Sequence, residues 1–406
     1  MTDRLAGSKP RPGTVHKTAR MTMVHPRGTW LAAALLVLTL ASGACASAPP
    51  DDPAVLAAGL RPGTLLDAEP IATVSDRPDS RAWHIRYVMQ GVSGDAVAAS
   101  GMVIVPAGQP PESGWPRIGW GHPTRGSADE CAPSREGPAT VVALPTLLDA
   151  GLAVVAPDYE GLGVDGPHPY LVGESEARSM LDALTAATEI DGAGLRSDGP
   201  VVLWGFSQGG HAVGFAAQRA PELAPDMDLR GVVLAAPVSD VTNFARRAEA
   251  RRDQLGVLVT ILAGQRAADP TLEPRQVLSA PAAQSLDARE RQCIGELNAT
   301  FGALDERRPV VATSVSEAPA WMRALHRNRL GDATITVPAL IIQGTDDDIV
   351  DPADTRALVE RWCAFGVSVT EVRREGEGHA VPVNDVLVPW IHSVLHGGDI
   401  SSTCLQ

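Results

Sequence analysis

Past residue 70 the apolar positions fall into short runs that alternate with longer stretches of helical spacing. Residues 84–90 and 97–105 read as an opening pair of strands, and 117–121 as a short third one. Leu152-Ala153-Val154-Val155-Ala156-Pro157 is an unbroken apolar run, the pattern of a strand covered on both faces. Over 174–190 the period changes: Ala177, Met180, Leu181 and Leu184 recur at three and four, which predicts a helix. Strand, helix and strand follow at 201–204, 209–219 and 231–236. From 239 to 334 strand-like runs almost vanish, and Arg, Ala, Gln, Leu and Glu dominate, as helices favour. Strands resume at 339–343 and 367–372, and 389–396 reads as a closing helix.

This order implies an α/β fold, a mostly parallel central sheet with helices on both faces. The helical block reads as an inserted cap rather than a separate domain, because the sheet continues after it. The expected organisation is a first core segment over 70–239, a cap over 240–334 and a second core segment over 335–406.

The first 48 residues belong to none of this. Arg20, His25 and Arg27 precede an apolar run at 30–40, and small residues follow over 41–48. The run is short of the ~20 residues a membrane span needs, so the region reads as a signal leader cut near 44–48. Its polar opening is long for a leader, which makes Met21 and Met23 alternative starts. Ser42-Gly43-Ala44-Cys45 resembles a bacterial lipobox, with Ser42 where Leu is usual. Cys45 is therefore a candidate for lipidation, plain cleavage nearby being the alternative, and the expected location is outside the cell or on its outer membrane face. Four further cysteines, Cys131, Cys293, Cys363 and Cys404, form an even set, as disulfides in an oxidising compartment require. All three ways of pairing them are open at this point. No Cys-x-x-Cys spacing occurs, so neither a zinc site nor any cofactor is expected.

Composition narrows the partners. Apolar residues make up 44% of the 406, enough for a large core, and 48 acidic against 34 basic residues leave a net charge of -14. That balance excludes a nucleic-acid partner, whose phosphates are held by clustered Lys and Arg. Aromatic residues, at 4%, offer no platform for a carbohydrate or polymer.

The candidate chemistry begins at Gly205-Phe206-Ser207-Gln208-Gly209, a G-x-S-x-G pattern between an expected strand and an expected helix. In the α/β-hydrolase fold this elbow presents a nucleophilic serine, and the residues two positions either side must be small. Serine needs a base and the base an orienting acid, which follow in the chain order Ser, acid, His. Gln343-Gly344-Thr345-Asp346-Asp347-Asp348 places a carboxylate after a buried strand, where catalytic groups of open α/β sheets gather. Asp347 is the favoured acid, with Asp346 and Asp348 as alternatives. Gly376-Glu377-Gly378-His379 offers the base, whereas His392 and His396 fall in the closing helix. The oxyanion of a tetrahedral intermediate needs two donors. The N–H of Gln208 is one; in Gly121-His122-Pro123-Thr124-Arg125-Gly126, Pro123 has no N–H, which makes Thr124 the second candidate and Arg125 the next.

From about Arg81 to the C-terminus the chain resembles the secretory lipase family, which includes yeast lipase A type enzymes and actinobacterial relatives. The resemblance rests on Gly121-His122-Pro123-Thr124-Arg125-Gly126 leading to Cys131-Ala132-Pro133-Ser134, on Ala156-Pro157-Asp158-Tyr159-Glu160-Gly161-Leu162-Gly163, on His168-Pro169-Tyr170-Leu171 and on Gly205-Phe206-Ser207-Gln208-Gly209-Gly210. Pro123 and Arg125 depart from the His-Gly-Thr-Thr-Gly common in bacterial relatives. The resemblance implies an α/β-hydrolase fold and hydrolysis of carboxylic esters, from short acyl esters to triacylglycerols, under a helical cap. It also implies disulfides Cys131–Cys293 and Cys363–Cys404, leaving Cys45 unpaired. The same fold could serve a serine peptidase or another acyl hydrolase, or a surface binding protein without catalysis.

Overall fold

In the computed structural model the described residues are 57, 59–72, 74, 77, 79–286, 292–304 and 309–405. The expected leader and Cys45 lie outside them. Nine strands form one sheet: β1 (Leu65–Ile71), β2 (Arg81–Gln90), β3 (Ala96–Val105), β4 (Arg117–Gly121), β5 (Ala153–Pro157), β6 (Val201–Phe206), β7 (Leu229–Ala235), β8 (Ala339–Gly344) and β9 (Val369–Arg374). Their order is β1-β2-β3-β5-β4-β6-β7-β8-β9. Pairing is antiparallel from β1 to β5 and parallel from β5 to β9.

The helices of eight residues or more are numbered α1 (Gly173–Ala186), α2 (Gln208–Leu223), α3 (Val241–Ala250), α4 (Leu255–Ala268), α5 (Ile294–Gly302), α6 (Pro319–His326), α7 (Pro352–Ala364) and α8 (Leu387–His396). They cover both faces of the sheet, which is why the central strands β5 and β6 carry no polar residue. In β6, Val201 and Leu203 pack into one buried cluster with Met180 and Leu184 of α1, Val213 of α2 and Leu358 of α7. Val202 and Trp204 point the other way, into a cluster with Leu147, Trp390 and Ile391. Each such Leu or Ile side chain withdrawn from water contributes about 1.5–3 kcal/mol.

Between β7 and β8 the chain runs through α3 to α6, and the described residues there form isolated bridges but no strand. This stretch has an apolar cluster of its own, including Phe244, Leu258, Leu262, Phe301 and Trp321, joined by Tyr170 and Leu171 from the loop before α1.

The chain leaves β4 for β5 on one side and returns to β6 on the other. The switch point therefore lies between β4 and β6, and the crevice beyond their C-terminal ends is where open α/β sheets bind ligands.

Three of the differences from expectation have a plain physical cause. β1 begins at Leu65, ahead of the expected core start at 70, because an edge strand carrying Asp67, Glu69 and Pro70 lacks the apolar alternation of a buried one. β9 runs to Arg374 rather than ending at 372; as the other edge strand it tolerates two arginines on an open side. α7 was not foreseen, although Asp351 caps it by accepting from the Ala353 N–H and Pro352 takes the first turn, a recognised start signal. No helix among the described residues is long and apolar enough to cross a membrane.

Candidate active site

Gly205-Phe206-Ser207-Gln208-Gly209 turns β6 directly into α2. Ser207 stands between them at φ 58° and ψ −117°, a conformation costly for any residue with a side chain. Surrounding backbone holds it there: the Ser207 N–H donates to the Ala235 carbonyl at 2.9 Å, and the Ser207 carbonyl accepts from the His211 and Val238 N–H groups at 3.2 and 3.3 Å. The flanking glycines answer to close approach. A Cβ on Gly205 would lie 2.0 Å from the Gly209 carbonyl oxygen, and one on Gly209 would lie 1.8 Å from the Gly121 carbonyl oxygen. The second contact seats the start of the 121–126 loop against the first turn of α2.

The end of β8 brings the acid and the base together. A Cβ on Gly344 would fall 2.3 Å from the carbonyl oxygens of Glu377 and Gly378, so the loop bearing His379 lies flat against the strand end. The Asp346 N–H donates to the Glu377 carbonyl at 3.0 Å, fixing the two loops to each other. His379 packs beside Phe206, with ring centroids 5.0 Å apart. Its Nδ1–H donates to Asp347 Oδ2 at 2.9 Å, and its Nε2 accepts from the Ser207 hydroxyl at 2.9 Å.

Among the three aspartates, Asp347 is 4% exposed. Its Oδ1 accepts from the N–H groups of Ile349 and Val350, and Oδ2 accepts from Gln343 Nε2, each at 2.9 Å. Burial pushes this carboxyl upward, but the hydrogen bond and charge of His379, with donors from Val350 and Gln343, hold it below the ordinary carboxylate range. Asp348, its side chain 70% exposed, pairs with Arg251 instead. Asp346 accepts from the Thr345 hydroxyl at 3.3 Å. His392 and His396 pack against each other on α8.

Gln208 is the first residue of α2, so its N–H has no acceptor within the helix and sits at the positive end of the helix dipole. Thr124 is half-buried, and its hydroxyl is 2.6 Å from the Tyr170 hydroxyl. The Arg125 side chain is committed to an ion pair with Glu136. The loop is also tied to the stretch before α5: the Ile294 N–H donates to the Arg125 carbonyl at 2.8 Å, and a disulfide joins Cys131 to Cys293. The second disulfide joins Cys363 of α7 to Cys404, so both pairings implied by the family resemblance are present. His122 is buried, with ring nitrogens 2.8 Å from the Pro123 carbonyl and 3.2 Å from that of Asp158. Burial pushes its pKa down to about 4.

Sequence reasoning missed Gln343, which orients the acid and is itself held by the Thr355 hydroxyl at 2.7 Å. It also missed Glu176 and His211, buried beneath the elbow. A signal existed: Glu176 stands four residues before Met180, on the apolar face of α1, and His211 one turn after Ser207 on an apolar helix.

Comparison with known proteins agrees with the geometry. The model of a family described as secretory lipase matches residues 138–397. A Mycobacterium tuberculosis protein named a probable inactive lipase is 29% identical over 310 residues, 71% of this chain and 67% of that protein. Candida albicans Lipase 5 is 26% identical over 275 residues, 64% of this chain and 58% of its own length. The chain thus spans about three fifths to two thirds of these relatives. Among solved structures, Candida antarctica lipase A is similar with a TM-score of 0.73 at 19% identity, over 88% of each chain. The rice cell wall degrading esterase LipA of Xanthomonas oryzae is similar with a TM-score of 0.72 at 21% identity, over 84% of this chain and 100% of that one.

Proposed function

Since this chain belongs to the secretory lipase family, we propose that it is a serine carboxylic-ester hydrolase, a lipase or esterase, working through Ser207, His379 and Asp347. The observation that carries the reading is the unbroken relay from the Ser207 hydroxyl to His379 to Asp347, each link 2.9 Å. In the proposed cycle Ser207 Oγ attacks the ester carbonyl as its proton passes to His379 Nε2. The negative oxygen of the tetrahedral intermediate takes hydrogen bonds from the N–H groups of Gln208 and Thr124. His379 then protonates the departing alcohol, leaving an acyl group on Ser207, and a water activated by the same imidazole releases the acid. Asp347 keeps the proton on Nδ1 and stabilises the imidazolium that forms.

In this reading the core spans 70–239 and 335–406, and 240–334 is the cap over the acyl pocket, opening at a lipid surface if the substrate is a triacylglycerol. The leader directs export, and Cys45 carries a lipid anchor. Turnover of p-nitrophenyl esters, lost in Ser207→Ala together with fluorophosphonate labelling, is the expected result. Activity retained in Ser207→Ala would overturn it, and faster cleavage of amides or peptides than of esters would favour a peptidase. The name of the mycobacterial relative favours a second reading, a binding protein without catalysis; wild-type protein that resists fluorophosphonate would support that one.

A further inference from the structure

The elbow rests on a buried acid that the cycle above does not use. Glu176 of α1 is 1% exposed and His211 of α2 is fully buried. Glu176 Oε1 accepts from Gln208 Nε2 at 2.9 Å, and Oε2 lies 2.5 Å from His211 Nδ1. The other ring nitrogen, Nε2, lies 2.9 Å from the Asn328 carbonyl oxygen. A carbonyl oxygen only accepts, so Nε2 carries a proton. A second proton lies in the short Nδ1···Oε2 contact, since two bare lone pairs would repel at that distance. The cluster extends outward. Asn328 Oδ1 accepts from the Gly173 N–H, Asn328 Nδ2 donates to Gln265 Oε1 of α4, and Gln265 Nε2 donates to the Leu171 carbonyl.

Such a buried charged or proton-sharing pair is a poor source of stability, because apolar groups of similar volume often do as well. What it supplies is orientation. Two of its contacts fall on the first turn of α2, at Gln208 and His211, on either side of the Gly209-Gly210 pair that packs closely on Gly121 and Pro237. Gly209 and Gly210 have no side chains with which to fix that turn.

We propose that Glu176 is a positioning residue for ester hydrolysis: it holds the first turn of α2 through the Gln208 side chain and His211, and so aims the Gln208 N–H at the developing oxyanion. This inference rests on Ser207 being the nucleophile. The acid acts through its neighbours and touches no reacting atom.

The test uses the full chain, p-nitrophenyl butyrate kinetics and ¹⁵N NMR of the histidine rings. Glu176→Gln keeps an acceptor for Gln208 Nε2 and offers His211 Nδ1 a donor; it should keep kcat within roughly threefold of wild type. Glu176→Ala should lower kcat by roughly 100-fold with KM nearly unchanged, the mark of an interaction realised in the transition state. Should Glu176→Ala fail to fold, Gln208→Ala removes one tether while leaving the backbone donor, and should lower kcat by about tenfold at constant KM. Independently of turnover, the wild type should show a slowly exchanging proton in the His211–Glu176 contact, on Nδ1 or on Oε2, and Glu176→Gln should leave His211 protonated at Nε2 alone. Wild-type kcat in Glu176→Ala or in Gln208→Ala overturns the proposal, as does a loss carried in KM or the absence of any slowly exchanging proton in the wild-type His211–Glu176 contact. Absence of ester turnover and of Ser207 labelling in the wild type refutes the functional reading and this role with it; full wild-type turnover beside an unaffected Gln208→Ala overturns this role alone.

Discussion

Replacing Asp347 by Asn separates three adjacent carboxylates that differ little in sequence. In the structure Oδ1 of Asp347 takes two backbone N–H groups, from Ile349 and Val350, while Oδ2 faces Gln343 Nε2 and His379 Nδ1. An Asn side chain keeps its carbonyl oxygen on the two backbone donors and so turns its NH2 toward His379. Nδ1 must then accept, the ring proton moves to Nε2, and Nε2 loses the lone pair that receives the Ser207 proton. The geometry survives but the tautomer is wrong, a change that in serine hydrolases costs on the order of 10⁴ in kcat, or about 5 kcal/mol of transition-state stabilisation. KM should move little, because no contact to bound ester is removed. Asp348→Asn, at an exposed pair with Arg251, and Asp346→Asn should each cost less than about threefold. The assay is steady-state hydrolysis of a p-nitrophenyl ester by all three variants, with thermal unfolding to confirm that each is folded. Asp347→Asn within tenfold of wild type, or Asp348→Asn as damaging as Asp347→Asn, would refute the assignment.

Two further outcomes concern stability. The disulfide Cys131–Cys293 closes a loop of 162 residues and Cys363–Cys404 one of 41; the chain-entropy relation gives about 5 and about 4 kcal/mol respectively. Denaturant titration of each double Cys→Ser variant should show both losses, and activity should fall further in the first, which frees the loop bearing Thr124. Burial raises Asp182 from the ordinary carboxylate value to about 7, against smaller opposing effects of the Gln90 backbone and Arg178. Its folded form thus holds a proton more tightly than the unfolded chain, so its favourable share is full at acid pH and is lost as pH rises through about 7. Asp182→Asn should therefore stabilise the protein at pH 8, by about 1–3 kcal/mol after allowance for water in the adjoining cleft, and leave it nearly unchanged at pH 4. Equal effects at the two pH values would count against a half-buried, protonated Asp182.

The sequence by itself determined the features that depend on neighbours in the chain. Ser207 was legible because a strand, an elbow and a helix are contiguous, and because backbone crowding at Gly205 and Gly209 admits no side chain. The alternating strands and helices were legible because strands covered on both faces are mostly apolar. Where one side of a strand is open, as in β1 and at the end of β9, that pressure is absent and the expected boundaries shifted.

Tertiary structure decided what depends on partners far apart in sequence. Asp346, Asp347 and Asp348 are chemically alike; which one is buried, collects donors from Gln343, Ile349 and Val350, and reaches His379 follows from the loop that Gly344 admits against the end of β8. Pairing among four cysteines was open in the residues alone and is resolved by which loops lie together. Glu176 and His211 stand 35 positions apart, and each looks like a misplaced polar group on an apolar helix face until α1 packs on α2 and the two groups satisfy each other. A local motif reports the strain of its own backbone, but a hydrogen-bond partner is chosen by the fold.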